Sequence, residues 1–208
     1  MAVEVLVADP VERADPVERA DLVAVEARFL ASGADRVTVL VNDAGFGLLK
    51  LFDDNPVGDE QQLLDLLVTA PMRLAHSVLG QMLGSGCGTI VNTASVVGFT
   101  PRNTRSASKA WILGFSRWAS LGYRRRGITV AAVTPGFVHI EFHDRMNVPK
   151  DGVPVFLWLD ATTLVRFVLR DVARGRAVSI PTLRHKIVVA LAGLLPKRIL
   201  ATRALCGR

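Results

Sequence analysis

Residues Thr89 to Arg126 read TIVNTASVVGFTPRNTRSASKAWILGFSRWASLGYRRR. The β-branched run Thr89–Thr93 predicts a strand that ends at Ser95, followed by a Gly-Pro-Asn loop and a helix. Ala107, Trp111, Gly114/Phe115, Trp118 and Leu121 recur at three-to-four spacing and predict one buried stripe on that helix. Ser95 would therefore stand at the C-terminal end of a strand, facing the first turn of a helix that carries Lys109. In open α/β sheets that crevice is where ligands bind.

Working outward, Arg36–Val41 (RVTVLV) is a near-continuous apolar strand of the kind buried on both faces of a parallel sheet. It runs into Asn42-Asp43-Ala44-Gly45-Phe46-Gly47. Glu60–Leu83 reads as one long helix with Leu63, Leu66/Leu67, Leu74, Val78 and Met82 on its apolar side. Ile128–Thr134 is a further buried strand and ends in Pro135-Gly136-Phe137-Val138. Asp160–Asp171 reads as an amphipathic helix capped by Asp160 and closed by Gly175, and Ala177–Ile180 as a last short strand.

Towards the start, Ala2–Ala8 (AVEVLVA) predicts a strand. The six residues ADPVER follow twice, at Ala8–Arg13 and Ala14–Arg19, a local duplication too short for a solenoid. Its prolines predict a loop, with helical spacing from Leu22 through Val25 to Phe29/Leu30. The expected organisation is a single domain over residues 1–208, with strand and duplicated loop in 1–21 and a basic helical tail in 182–208. From Pro181 the chain is helical, apolar and basic, a helix pair covering the sheet or the cleft; a membrane-surface contact is the sharper alternative.

Half of the 208 residues are hydrophobic and 21% are charged, which excludes a disordered chain. The net charge of +6 is uneven, because eight Lys/Arg and no acids lie from Val172 onward, leaving the first 171 residues at −2. Nucleic-acid binding would require a basic stripe with a reading element, and none is visible. Cys87 and Cys206 have no metal or redox spacing and fit a reducing cytoplasmic setting. The start of the chain lacks a cationic leader, so no signal peptide is expected. The longest apolar run, Ile187–Leu195, falls short of the roughly 18 residues of a spanning helix. His139 and His143 flank Glu141, but HIEFH is not a zinc-protease pattern, and no metal site is expected.

Strand, Ser95, loop and the SASK helix resemble the short-chain dehydrogenase/reductase family, whose working motif is a Ser followed by Tyr-x-x-x-Lys. Ser95 matches the Ser, Lys109 the Lys, and the Tyr position is Arg105. Asn42-Asp43-Ala44-Gly45 is similar to the family's Asn-Asn-Ala-Gly turn, and Pro135-Gly136-Phe137-Val138 to its Pro-Gly turn beside the nicotinamide. The resemblance implies a Rossmann-like doubly wound parallel sheet lacking its first βαβ portion, and NAD or NADP as cofactor. It implies cofactor contacts from Asp9, Asn42, Ala44, Gly45, Lys109, Pro135, Gly136 and Val138, a carbonyl or alcohol as substrate, and a homo-oligomer through the long helices.

Several departures accompany the resemblance. In the family the Lys ammonium lowers the phenol's pKa so that it can trade a proton. A guanidinium stays protonated to above about pH 12 and cannot take that part. Leu67 stands where the family has an Asn holding the water beside the catalytic Lys, and Ile140 where it has a Thr. Tyr123 lies fourteen residues past Lys109, about 21 Å along a helix. No Gly-x-x-x-Gly-x-Gly precedes Asn42, so the chain reads as starting at the family's third strand. Val37–Val41 would then keep an unpaired edge, which predicts a poorly stable or association-prone monomer. Two functions follow: a nicotinamide-dependent oxidoreductase by descent, or a non-catalytic paralogue or interaction subunit.

Overall fold

A computed structural model describes residues 16–30, 36–48, 50–138 and 158–194. The elements are α1 (Pro16–Arg28), β1 (Val39–Asn42), α2 (Val57–Leu64), α3 (Ala70–Ser85), β2 (Gly88–Thr93), α4 (Thr104–Tyr123), β3 (Ile128–Val133), β4 (Phe137–Val138), β5 (Trp158–Leu159), α5 (Ala161–Ala173), β6 (Val178–Ser179) and α6 (Leu183–Leu194). Four strands form a parallel sheet in the order β1-β2-β3-β6. Leu40, Ile90 and Val130 lie in register across it. They meet Phe29, Ala75, Val78, Met82 and Ala119 from the helices in one core cluster. Burying each large apolar side chain there contributes about 2 kcal/mol. This is the Rossmann-like arrangement of parallel strands and flanking helices that the alternating pattern predicts.

The long helix is continuous from Val57 to Ser85, with a π turn at Asp65–Thr69 between α2 and α3. Pro71 has no N–H to donate to the Leu67 carbonyl, and the ladder loosens there: the Ala70 N–H reaches back five residues to Asp65. Among the described residues it is the one helix whose length and composition could cross a membrane. Its predicted apolar side is instead in the core, with Leu63, Leu66, Leu67, Val78 and Met82 all buried.

Four expectations need correction. The second ADPVER copy is not loop, since α1 begins at Pro16. A proline is tolerated in the first helical turn, where its missing N–H would have no partner anyway. β1 is shorter than Arg36–Val41, and it is not buried on both faces: Val39 and Val41 are 55% and 57% exposed, while Leu40 is buried. Among the described residues β1 pairs with β2 alone, and helices cover only its Leu40 side. The last strand shortens to Val178–Ser179.

The fourth correction concerns α4. Trp118 and Leu121 are 59% and 84% exposed, and Trp111 is also exposed. The sheet-facing side is Ile112, Leu113, Ser116, Ala119 and Ser120. Small residues let the helix approach the strands closely, Trp111, Trp118 and Leu121 are left outside, and Phe115 and Tyr123 are half-buried against the core. There Trp111 stacks on Phe115 at 5.1 Å, and Tyr123 meets Trp118 edge-on at 5.8 Å. The expected strand Ala2–Ala8, Asp9, His139, Ile140, His143 and the tail beyond residue 194 lie outside the described residues.

Candidate active site at the ends of the strands

β2 delivers its C-terminal end to a 3₁₀ turn, Val96–Phe99, capped by Ser95, whose Oγ accepts a hydrogen bond from the Val97 N–H at 3.3 Å. The turn is fixed from two sides. The Val96 N–H donates to the Pro135 carbonyl at 3.3 Å. Gly98 lies on the backbone of α4, where a Cβ would stand 2.9 Å from the Lys109 carbonyl carbon. Glycine is required for that approach, and it sets the Ser95 turn against the helix that carries Lys109.

α4 is capped at its start by Asn103, whose Oδ1 accepts from the Ser106 N–H at 3.0 Å. Arg105 and Lys109, one turn apart, share a face. Lys109 is buried, and its Nζ donates to the Thr93 carbonyl at 2.5 Å. Burial lowers the Lys109 pKa to about 8; Arg105 pushes in the same direction and Asp43 opposes it. Burial also draws the Arg105 guanidinium below its ordinary value. Asp43 accepts a hydrogen bond from Thr93 Oγ1 at 2.6 Å, so Lys109, Thr93 and Asp43 form one polar chain.

The Asn42-Asp43-Ala44-Gly45 turn closes over the same ammonium. A Cβ on Gly45 would lie 4.0 Å from Lys109 Nζ and 3.3 Å from Leu67 Cδ2. Leu67 therefore occupies, as an apolar side chain, the neighbourhood in which the resemblance implies an Asn. The turn is positioned by residues that the sequence reading passed over. Asn42 Nδ2 donates to Asn92 Oδ1 at 2.8 Å, and Asn92 Nδ2 donates to Ser116 Oγ at 3.0 Å. Asn92 and Ser116 are fully buried, and this chain ties β1 to β2 to α4 by direct side-chain hydrogen bonds. An Asn inside an otherwise apolar, β-branched strand is the signal that could have revealed it.

His185 was also missed. It sits in the first turn of α6, buried, with Nδ1 2.6 Å from Thr182 Oγ1. Its ring lies so close to Gly136 that a Cβ there would collide with Nε2 and Cδ2. α6 also packs on the Ser95 turn. Ser95, Arg105, Lys109, Asn42, Ala44, Gly45, Pro135 and Gly136 thus gather at the C-terminal ends of β1, β2 and β3, with buried Val138 just beyond in β4. Tyr123 is at the other end of α4, packed on Trp118.

A Gly-x-x-x-Gly-x-Gly spacing does occur, at Gly80, Gly84 and Gly86. It belongs to the end of α3, where Gly86 takes φ 65° and stops the helix. A helix C-terminus presents carbonyls, the wrong polarity for a phosphate. No group of three or more metal-ligating side chains occurs among the described residues.

The family model for short chain dehydrogenase matches residues 13–150. The chain is 37% identical over 114 residues to nodulation protein G of Rhizobium sp. (strain N33), covering 53% of this chain and 46% of that protein. It is 34% identical over 115 residues to a 3-oxoacyl-[acyl-carrier-protein] reductase of Synechocystis sp. (strain ATCC 27184 / PCC 6803 / Kazusa), covering 54% and 47%. The chain thus spans about half the length of these curated relatives. Among solved structures, a short-chain dehydrogenase from Sphingobium yanoikuyae in complex with NADPH superposes with a TM-score of 0.78 at 32% identity, covering 100% of this chain and 78% of that one.

Proposed function

The chain belongs to the short-chain dehydrogenase family, and on that premise we propose that it keeps the floor of a carbonyl/alcohol oxidoreductase site without the group that transfers the proton. One observation carries this reading: Arg105 stands one helical turn before the buried Lys109, in the place of the family's tyrosine. In the reading, Ser95 orients a substrate oxygen and Lys109 holds the ribose. Asn42, Ala44, Gly45, Pro135, Gly136 and Val138 line a nicotinamide dinucleotide, and Asp9 contacts its adenine. When bound, NAD or NADP supplies the hydride. Gly45 suits that ligand, because it leaves open the space above Lys109 that a side chain would fill. The pyrophosphate finds no glycine-rich helix start among the described residues.

Protonation by a fixed guanidinium is unavailable at neutral pH, so the chemistry favours a non-catalytic paralogue or interaction subunit over a working reductase. The test titrates the purified protein with NADH and NADPH by fluorescence and then supplies a ketone. Weak or absent binding at millimolar cofactor and no turnover are expected. Ketone reduction at an ordinary enzymatic rate overturns the reading. In a chain extended with a glycine-rich strand-turn-helix segment, Arg105→Tyr should raise turnover by about 100-fold or more.

The exposed Trp111 and Trp118 support a homo-oligomer built on α3 and α4. Met72, Phe115, Trp118 and Tyr123 line an apolar cavity of about 110 Å³ between these helices. The exposed Leu183, Ile187, Val188 and Leu191 of α6 favour a second reading, contact with a membrane surface by an otherwise cytoplasmic protein.

A further inference from the structure

We propose that the end of the sheet opposite the Ser95 cleft is a docking surface for an anionic phospholipid bilayer. Its cations come from two turns. Arg124, Arg125 and Arg126 follow α4 and lead into β3, and Arg174 and Arg176 flank the turn from α5 into β6. β3 pairs with β6, so the two turns lie side by side at the N-terminal ends of these strands. Gly175 shows how closely: a Cβ there would stand 3.4–3.6 Å from Nη2, Cζ and Nε of Arg124. The Arg124 guanidinium thus lies over the residue between Arg174 and Arg176. All five arginines are exposed.

Charge balance distinguishes this rim from an ordinary solvated surface. Across residues 120–127 and 170–177 the single acid is Asp171, which is buried and paired with Arg176 at 3.2 Å. α4 and α5 both end here, and a helix C-terminus carries about half a negative charge. The two ends together offset about one cation. Arg170, in the last turn of α5, adds one back. The excess therefore remains and places a positive field over this end of the sheet.

Apolar side chains decide the partner. Leu121 and Leu169, near the ends of α4 and α5, are 84% and 63% exposed. Leu121 lies one turn before Arg124, which keeps helical backbone angles, so leucine and guanidinium share a side. An anionic bilayer satisfies both kinds of group. Its phosphates and carboxylates match the planar guanidinium fork. Its acyl layer takes the leucines and the hydrocarbon stems of the arginines. RNA would meet the charge but offers no hydrocarbon layer. The contact requires neither hydride transfer nor the exposed apolar residues of α6, and it leaves the Ser95 cleft at the far end of the strands.

The experiment is co-sedimentation of the intact protein with vesicles of phosphatidylcholine, alone or with one third phosphatidylserine. Binding is expected only with phosphatidylserine, and it should weaken about tenfold or more in about 0.5 M salt. Each arginine near an anionic surface changes affinity about fivefold, so Arg124→Ala, Arg125→Ala and Arg174→Ala combined should weaken binding about 100-fold. A second triple variant removes the same charge from exposed positions elsewhere: Lys50→Ala, Arg117→Ala and Lys186→Ala. It should weaken binding less than about tenfold. Leu121→Ala with Leu169→Ala should weaken it about tenfold without altering the salt dependence. Equal binding of the unaltered protein to both vesicles, or to neither, overturns the proposal, and that comparison needs no variant to fold. Equal losses in the two triple variants assign the attraction to net charge alone and overturn it too. So does undiminished binding in the leucine pair, which would assign the rim to a purely charged partner such as RNA or an acidic protein.

Discussion

β1 and β3 come from sequence runs of the same character, RVTVLV and ITVAAVT, yet they meet opposite fates. β3 has strands on both sides, and all but one of its six residues are buried. β1 pairs on one side among the described residues and buries a single side chain, Leu40. An apolar, β-branched run thus specifies a strand but not its surroundings. The same division runs through α4, where Ile112, Leu113 and three small residues face the sheet while Trp111, Trp118 and Leu121 face outward.

The sharpest way to break this contrast is one substitution made at both places. Val130→Asp puts an unpaired charge into the core cluster and is expected to cost about 4 kcal/mol or more, enough to abolish cooperative urea unfolding. Val41→Asp, on the exposed side of β1, should change stability by less than about 1 kcal/mol. Equal losses would mean that the outer face of β1 is covered in solution.

The next effect lies at the cleft. Lys109 has a folded pKa of about 8 against its ordinary 10.5, so between these values the unfolded chain binds more protons than the folded one. Stability should therefore rise as pH increases from about 8 to 10.5, and Lys109→Met should remove that rise in denaturation curves. A fall over that window would mean that Lys109 is better paired than its burial implies.

Asn92→Ala should cost about 2 kcal/mol, because it leaves the buried Ser116 Oγ and the half-buried Asn42 Nδ2 without their shared partner. Loosening of the Asn42–Gly45 turn should accompany it, read as faster hydrogen exchange there. Smaller still, amides of Val39–Asn42 should exchange about tenfold faster than those of Ile128–Val133 in a dilute monomer. Full protection of β1 would contradict an open edge. Protection that appears only on concentration would assign the edge to association, and Trp118→Asp would separate that route from pairing of α3 and α4.

Local chemistry was legible in the chain itself. The order of strand, Asn-Asp-Ala-Gly turn, Ser95, SASK helix and Pro-Gly turn fixes the fold type, because each motif depends on a few neighbouring residues. The four-residue step from Arg105 to Lys109 likewise places both on one helix face without any tertiary information. The duplicated ADPVER shows the limit even locally, since a proline that breaks a helix interior can begin a helix. Only the folded molecule decided what stands opposite each face: which strand lies at the edge, that Trp111 and Trp118 of α4 point outward, that Asn92 bridges Asn42 and Ser116, and that His185 from the far end of the chain rests on Gly136. Periodicity reports that a residue shares a side with others. The identity of the partner across that side depends on contacts between segments distant in sequence, and no local spacing encodes them.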